Sequence, residues 1–115
     1  MDKNYEHAIL YDFYGALLTK KQQQIYEEVR FGDLSLSEAS EQFGISRQGI
    51  HDALRRVEMS LEAYEEKLKL VNQFRQVRNK AEEIRRLCRQ MEEQFPATPA
   101  IQGILRLTRE IEDLS

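Results

Sequence analysis

Two short helical patterns on either side of a glycine, within residues 36–57, constrain the fold of this chain more than any other stretch. Ser37 and Ser46 are each placed to cap one pattern, because a serine oxygen can accept a free backbone N–H of a helix's first turn. Gly44 is a natural helix stop, since it adopts a positive φ without the steric penalty of a Cβ atom. Apolar side chains at helical spacing predict a shared wedge, formed by Leu36, Ala39, Phe43, Ile45, Ile50, Leu54 and Val57. The stretch therefore predicts a helix-turn-helix motif.

The second predicted helix has a polar face that is suited to contact nucleic acid. Positions i, i+1, i+4, i+5 and i+8 share one side of a helix, and here they hold Arg47, Gln48, His51, Asp52 and Arg55. Arginine, glutamine and histidine can read base edges or bind phosphates. The alternative interpretation is the ordinary solvated face of a small helical bundle.

Composition indicates an all-α protein. The 115 residues suffice for one domain, or for a small domain with a helical extension. Only five glycines and two prolines are present, and both prolines come late, which argues against an all-β fold. The single cysteine, Cys88, excludes an internal disulfide framework and fits a reducing compartment. No signal sequence and no apolar run near about 18 residues is present, so we expect a cytoplasmic, soluble protein.

The charge balance limits how the chain could bind nucleic acid. Its net charge is −3, and residues 1–60 hold seven Lys and Arg against ten Asp and Glu. Binding to nucleic acid draws much of its free energy from counterion release at a basic face. A single copy is therefore expected to bind DNA weakly, so two copies or a partner would be needed.

Two helices are predicted before the motif. Residues 4–18 carry an apolar face formed by Ile9, Leu10, Phe13, Tyr14 and Leu17, and its aromatic side chains are expected to pack in the core. Thr19 and Gln22 fit a capping box that starts the second helix. Gly32 and Asp33 end it. Together with the motif, these helices form a predicted domain over residues 1–60.

A long amphipathic pattern follows the motif. Residues 56–95 contain no Gly or Pro, and apolar residues recur every three or four positions. A 40-residue helix would span about 60 Å, far more than a small domain can cover. A break is expected near Ser60 or Asn72. We favour a break near Met59-Ser60, then a long helix whose apolar seam pairs with a second copy or with the tail. Residues 61–115 are thus a helical extension predicted to form a homodimer or to dock a partner.

The chain ends in a predicted short helix. Thr98 is placed to cap it, and Pro99 suits its first position. Its apolar face is expected to fold back on the long helix or to cover a neighbouring molecule.

No catalytic constellation is visible in the sequence. His7 and His51 lie on different predicted elements, and Cys88 is distant from both. Neither a zinc-ligand spacing nor a phosphate-binding glycine loop is present, and we expect no metal and no cofactor. Cys88 falls on an apolar stripe, which favours a buried, inert thiol. The prediction is a protein that is not an enzyme.

Several segments resemble region 4 of bacterial sigma factors, the helix-turn-helix that reads the promoter −35 element. They are Leu18-Thr19-Lys20-Lys21-Gln22, Leu34-Ser35-Leu36-Ser37-Glu38-Ala39 and Phe43-Gly44-Ile45-Ser46-Arg47-Gln48. The resemblance implies that Arg47, Gln48, His51 and Arg55 face the major groove. It also implies that Lys20 and Lys21 touch backbone phosphates.

Other segments resemble the YlxM family of helix-turn-helix proteins more closely. They are Asp12-Phe13-Tyr14-Gly15, Leu17-Leu18-Thr19, Gly44-Ile45-Ser46-Arg47-Gln48 and the charged helix Glu62-Ala63-Tyr64-Glu65-Glu66-Lys67-Leu68. This resemblance implies a bacterial protein that takes part in, or regulates, the signal recognition particle pathway.

Two functions follow as hypotheses. The first is a regulatory protein that binds DNA, or the RNA of the signal recognition particle, as a dimer. The second is a protein-interaction module, in which the motif is a scaffold and the C-terminal helices bind a GTPase or a second copy.

Overall fold

Every regular element in the computed structural model is helical over the residues that it describes, 3–96 and 98–114. The helices are α1 (Lys3–Tyr14), α2 (Lys20–Tyr26), α3 (Leu36–Phe43), α4 (Arg47–Leu68), α5 (Leu70–Gln94) and α6 (Pro99–Asp113). A 3-10 turn, Gly15–Leu17, follows α1, and a π-helical turn, Glu27–Phe31, extends α2. The chain divides into two units, the first ending at Lys69 and the second beginning at Leu70. The predicted all-α fold, with a long helix and a short C-terminal helix after the motif, is confirmed.

Local capping interactions determine where the helices of the first unit begin. Thr19 starts α2 with the predicted capping box, and Ser46 caps α4 as predicted. The cap of α3 is Ser35, so the prediction of Ser37 is wrong. Glu38 lies three residues after Ser35 and completes a second capping box there. Hydrogen bonds from Ser35, chiefly from its backbone N–H, lower the pKa of the Glu38 carboxyl.

The turn between α3 and α4 has the predicted geometry. Gly44 ends α3 with a φ of 69° and a ψ of 30°, in the left-handed region. The Ser40 hydroxyl donates a hydrogen bond across the turn to the backbone carbonyl of Ile45. The two helices pack against each other, which confirms the helix-turn-helix.

Replacing Gly44 by alanine should lower the free energy of unfolding of the first unit by about 1 kcal/mol. A Cβ atom here would meet no atom within 4 Å, so the cost is conformational rather than a clash. Urea unfolding followed by tyrosine fluorescence would measure it, because every tyrosine lies before Lys69. Gly44→Asn is the control and should lose less, since asparagine tolerates the left-handed region. An unchanged midpoint for Gly44→Ala would contradict the prediction.

The core of the first unit forms around α4, which packs against α1, α2 and α3. Its buried residues are Leu10, Tyr14, Leu18, Ile25, Tyr26, Ala39, Ile50, Leu54, Val57 and Leu61. Two predicted core positions are wrong, because Leu36 is 39% exposed and Leu17 is 57% exposed. The 3-10 turn after α1 changes the helical register, so Leu18 is buried in place of Leu17.

The aromatic residues near the N-terminus divide between core and surface. Tyr14 is buried and its hydroxyl donates to Glu65 of α4, whereas Tyr5 is 60% exposed. Tyr11 stacks on Tyr26 with ring centroids 4.9 Å apart. Burial raises the pKa of Tyr26 to about 12. Core packing of this aromatic segment is therefore confirmed for Tyr14, whereas Tyr11 and Phe13 are partly buried and Tyr5 is exposed.

The predicted helix break near Met59-Ser60 is wrong. Helix α4 continues to Leu68 because Val57 and Leu61, on either side of that point, are both fully buried in the first unit. The break lies at Lys69, which has a φ of 59° and ends α4 in the left-handed conformation. Residues 56–95 thus form parts of two helices, and the first unit extends beyond residue 60 to Lys69.

The second unit is a pair of helices, α5 and α6, that pack on each other. Cys88, Ile101 and Leu105 form its buried cluster, which confirms the burial expected for the thiol. A bidentate ion pair joins Arg85 of α5 to Glu112 of α6, with N–O distances of 2.7 and 3.0 Å. Pro99 begins α6 as predicted.

Thr98, the residue before α6, does not cap the helix in the predicted way. The Thr98 hydroxyl donates to the carbonyl of Phe95 and makes no side-chain capping bond.

The second unit leaves many large apolar side chains in contact with solvent. They are Val77, Ile84, Leu87, Met91, Ile104 and Leu107, and we call them the α5–α6 apolar surface.

Candidate nucleic-acid interface

The first two turns of α4 present polar side chains immediately after the helix-turn-helix turn. Arg47, Gln48 and His51 are exposed and line one surface hollow together with Leu36 of α3. The hollow has a volume of about 430 Å³. The sequence placed these three polar residues on one face, and the structure brings them together.

Asp52 interrupts this polar face with a negative charge. Its Oδ1 accepts a hydrogen bond of 3.0 Å from the Gln48 amide. The same oxygen lies 3.9 Å from Nδ1 of His51. Arg47 is held less firmly than Gln48, because the hydrogen bond that its Nη1 donates to the Ser37 hydroxyl is longer, at 3.4 Å. Asp52 therefore holds Gln48 and lowers the positive potential of the face.

The remaining predicted contact residues, on α2 and further along α4, lie outside this hollow. Lys21 of α2 lines a second groove together with Asp52 and Arg56 of α4. Arg55 and Lys20 are exposed but line neither depression. Arg56 was not among the predicted contact residues, although it is one of the cations close to Arg47 and Arg55 in the sequence, and its spacing of four residues from Asp52 places both on one side of α4.

Replacing Asp52 by asparagine should raise the affinity for duplex nucleic acid several-fold. The substitution removes one negative charge from the face and keeps a side chain of the same shape, so repulsion of phosphates falls. Fluorescence anisotropy at constant salt concentration would measure the change. Asp113→Asn is the control of equal charge in α6 and should have little effect. Weaker binding by Asp52→Asn would show instead that the carboxylate accepts a hydrogen bond from a base.

Among residues 3–96 and 98–114, no group of three or more His, Cys, Asp and Glu side chains could hold a metal ion. Over the same residues, no helix combines the length and apolar character that crossing a membrane requires.

The capped turn, the buried wedge and the exposed polar start of α4 define a helix-turn-helix protein. A family model, UPF0122, described as "Putative helix-turn-helix protein, YlxM / p13 like", matches residues 1–98. The chain belongs to this family.

Individual relatives agree with this assignment along the chain. A UPF0122 protein of Thermoanaerobacter sp. (strain X514) is 45% identical over 108 residues, which cover 94% of this chain and 92% of the relative. One from Caldanaerobacter subterraneus subsp. tengcongensis is 55% identical over 78 residues, covering 68% and 67% of the two chains. One from Limosilactobacillus reuteri is 39% identical over 114 residues, covering 98% and 97%.

Proposed function

We propose that this protein is a non-enzymatic, cytoplasmic regulator that binds nucleic acid through the N-terminal half of α4. The observation that carries the proposal is the hollow formed by Arg47, Gln48 and His51 directly after the helix-turn-helix turn. In helix-turn-helix proteins, the N-terminal residues of the second helix contact base edges in the major groove. Arg55, further along α4, extends this major-groove face, and Lys20 and Lys21, at the start of α2, add phosphate contacts.

The charge of the chain supports action as a homodimer. With a net charge of −3, one copy has no overall excess of positive charge with which to attract phosphates. The α5–α6 apolar surface offers a region where a second copy would bury apolar area. This surface lies within residues 61–115, where the sequence predicts dimerisation. Two copies would double the number of α4 faces available to one nucleic acid.

We also propose a role in the signal recognition particle pathway. The resemblance to the YlxM family supports this role, and it makes the RNA of that particle the first ligand to test. DNA is the second, because the sigma-like segments supply a helix-turn-helix with a polar recognition face.

The test is a titration of full-length protein against the particle's RNA and against random duplex DNA at several salt concentrations. The logarithm of the affinity should fall linearly with the logarithm of the salt concentration, because each phosphate contact releases counterions. Sedimentation equilibrium on the same samples should show a dimer. Absence of binding to both ligands at low salt would remove the proposal.

A second candidate function rests on the α5–α6 apolar surface. A surface of this kind also suits a protein partner, and the resemblance to the YlxM family points to a GTPase of the signal recognition particle. Ile84→Asp with Leu87→Asp should abolish such an interaction in a pull-down while leaving the exposed face of α4 unchanged. Arg106→Asp, also exposed in this unit, is the control. Retained GTPase binding by the double variant would exclude this function.

A further inference from the structure

A second groove lies beside the polar face, between α2 and the first half of α4. It belongs entirely to the first unit and has a volume of about 390 Å³, within the size range of small-ligand sites. Its lining combines apolar and polar groups from Thr19, Lys21, Gln22, Ile25, Ile45, Gly49, Asp52, Ala53 and Arg56. We call it the α2–α4 groove.

The apolar part of the α2–α4 groove suits a flat organic ring. Ile25 is 3% exposed, and Ile45 and Ala53 are partly buried. Gly49 adds no side chain, and its N–H donates to the capping hydroxyl of Ser46. Contact with these groups would remove apolar ring surface from water, which is favourable.

The polar part of the groove suits an anion joined to groups that form hydrogen bonds. Lys21 comes from α2 and Arg56 from α4, both are exposed, and neither forms an ion pair with any residue that the structure describes. The side-chain Oε1 of Gln22 accepts a hydrogen bond from the backbone N–H of Thr19. This leaves the side-chain N–H groups of Gln22 as donors. Asp52 supplies an acceptor at the groove wall.

We propose that the α2–α4 groove binds one unpaired nucleotide of an RNA held by the polar face of α4. The base would lie against Ile25, Ile45 and Ala53, and its phosphate would lie between Lys21 and Arg56. A paired base cannot enter, because its neighbours cover both of its faces, whereas RNA loops and bulges present such bases. This inference rests on the proposed function and specifies its ligand class. It also accounts for how a protein with a net charge of −3 would bind RNA, since base burial supplements phosphate contacts.

The test compares two RNA hairpins that differ by one bulged guanosine. Anisotropy titrations of the full-length protein should show roughly tenfold tighter binding to the bulged hairpin, the effect expected when part of the apolar surface of one base is removed from water. Equal affinity for the two hairpins would overturn the groove assignment and leave the proposed function intact. Failure to bind either hairpin or duplex DNA would overturn both. Tight binding of free guanosine monophosphate without a preference for the bulge would also overturn the proposal.

Ala53→Leu tests whether the preference for the bulged hairpin arises in the α2–α4 groove. The larger side chain fills the groove without altering Arg47, Gln48 or His51. It should abolish the preference for the bulged hairpin and keep the affinity for the paired one. Ala63→Leu, at an exposed position later in α4, should keep the preference. A second variant, Lys21→Gln with Arg56→Gln, changes only exposed side chains and avoids a folding defect. It should weaken the bulged complex more than the paired complex, and equal weakening of both would contradict the phosphate position.

Discussion

Replacing Ile50 by alanine should lower the free energy of unfolding of the first unit by about 2–5 kcal/mol. Ile50 is fully buried one turn after the start of α4, at the centre of the helix-turn-helix wedge. The substitution removes buried methyl and methylene groups and leaves a cavity that surrounding helices fill only in part. Because many domains have only about 5–15 kcal/mol of stability, this loss would leave the unit close to unfolding.

The measurement is selective for the first unit, because tyrosine is present only at positions 5, 11, 14, 26 and 64 and the chain has no tryptophan. Urea unfolding followed by tyrosine fluorescence therefore reports this unit. Ile50→Val removes less buried surface, so it should lower the free energy of unfolding by only about 0.5–1.5 kcal/mol. Met59→Ala, at a position 60% exposed on the same helix, is the control and should change stability by less than about 0.5 kcal/mol. Equal losses for Ile50→Ala and Met59→Ala would contradict the packing described for α4.

Replacing Arg47 and Arg55 together by alanine should reduce nucleic-acid affinity roughly 100-fold at moderate salt, if each side chain contributes one base or phosphate contact. Both residues are exposed, so the loss should come without a change in the urea midpoint. The slope of log affinity against log salt should change little if both side chains contact base edges, and it should fall in magnitude by about one for each side chain that contacts a phosphate instead. Anisotropy titrations at several salt concentrations give both quantities.

The matched control is Arg106→Ala with Arg109→Ala. Both of these arginines are exposed in α6, and the pair changes the net charge by the same amount. The control should retain affinity within a few-fold. Similar losses in the two double variants would mean that total charge, rather than the face of α4, determines binding.

The fold was predictable where the signals are local. The capping box at Thr19 and the cap at Ser46 each join groups three residues apart, so their geometry follows from the adjacent sequence. Gly44 likewise adopts the left-handed conformation expected of a glycine between two helical patterns. The error at Ser37 came from choosing the wrong serine of two, because Glu38 pairs with Ser35.

The candidate site was predictable only as a helix face. Helical periodicity placed Arg47, Gln48, His51 and Arg55 on one side of α4, and the structure exposes all of them. Periodicity contains no information about the neighbouring helix, so it could not show that Lys21 of α2 and Arg56 meet at one groove. Contact by these residues with nucleic acid remains a prediction.

By itself, the sequence determined the all-α class, the helix-turn-helix turn and most helix starts, because hydrogen bonds and backbone preferences within a few residues set them. Only the tertiary structure decided that α4 continues past Met59-Ser60 to Lys69. The burial of Val57 and Leu61 depends on helices distant in sequence, and this burial stabilises the helix through the expected break. The α2–α4 groove was decided in the same way, since its two walls come from separate helices and form only when α2 packs on α4.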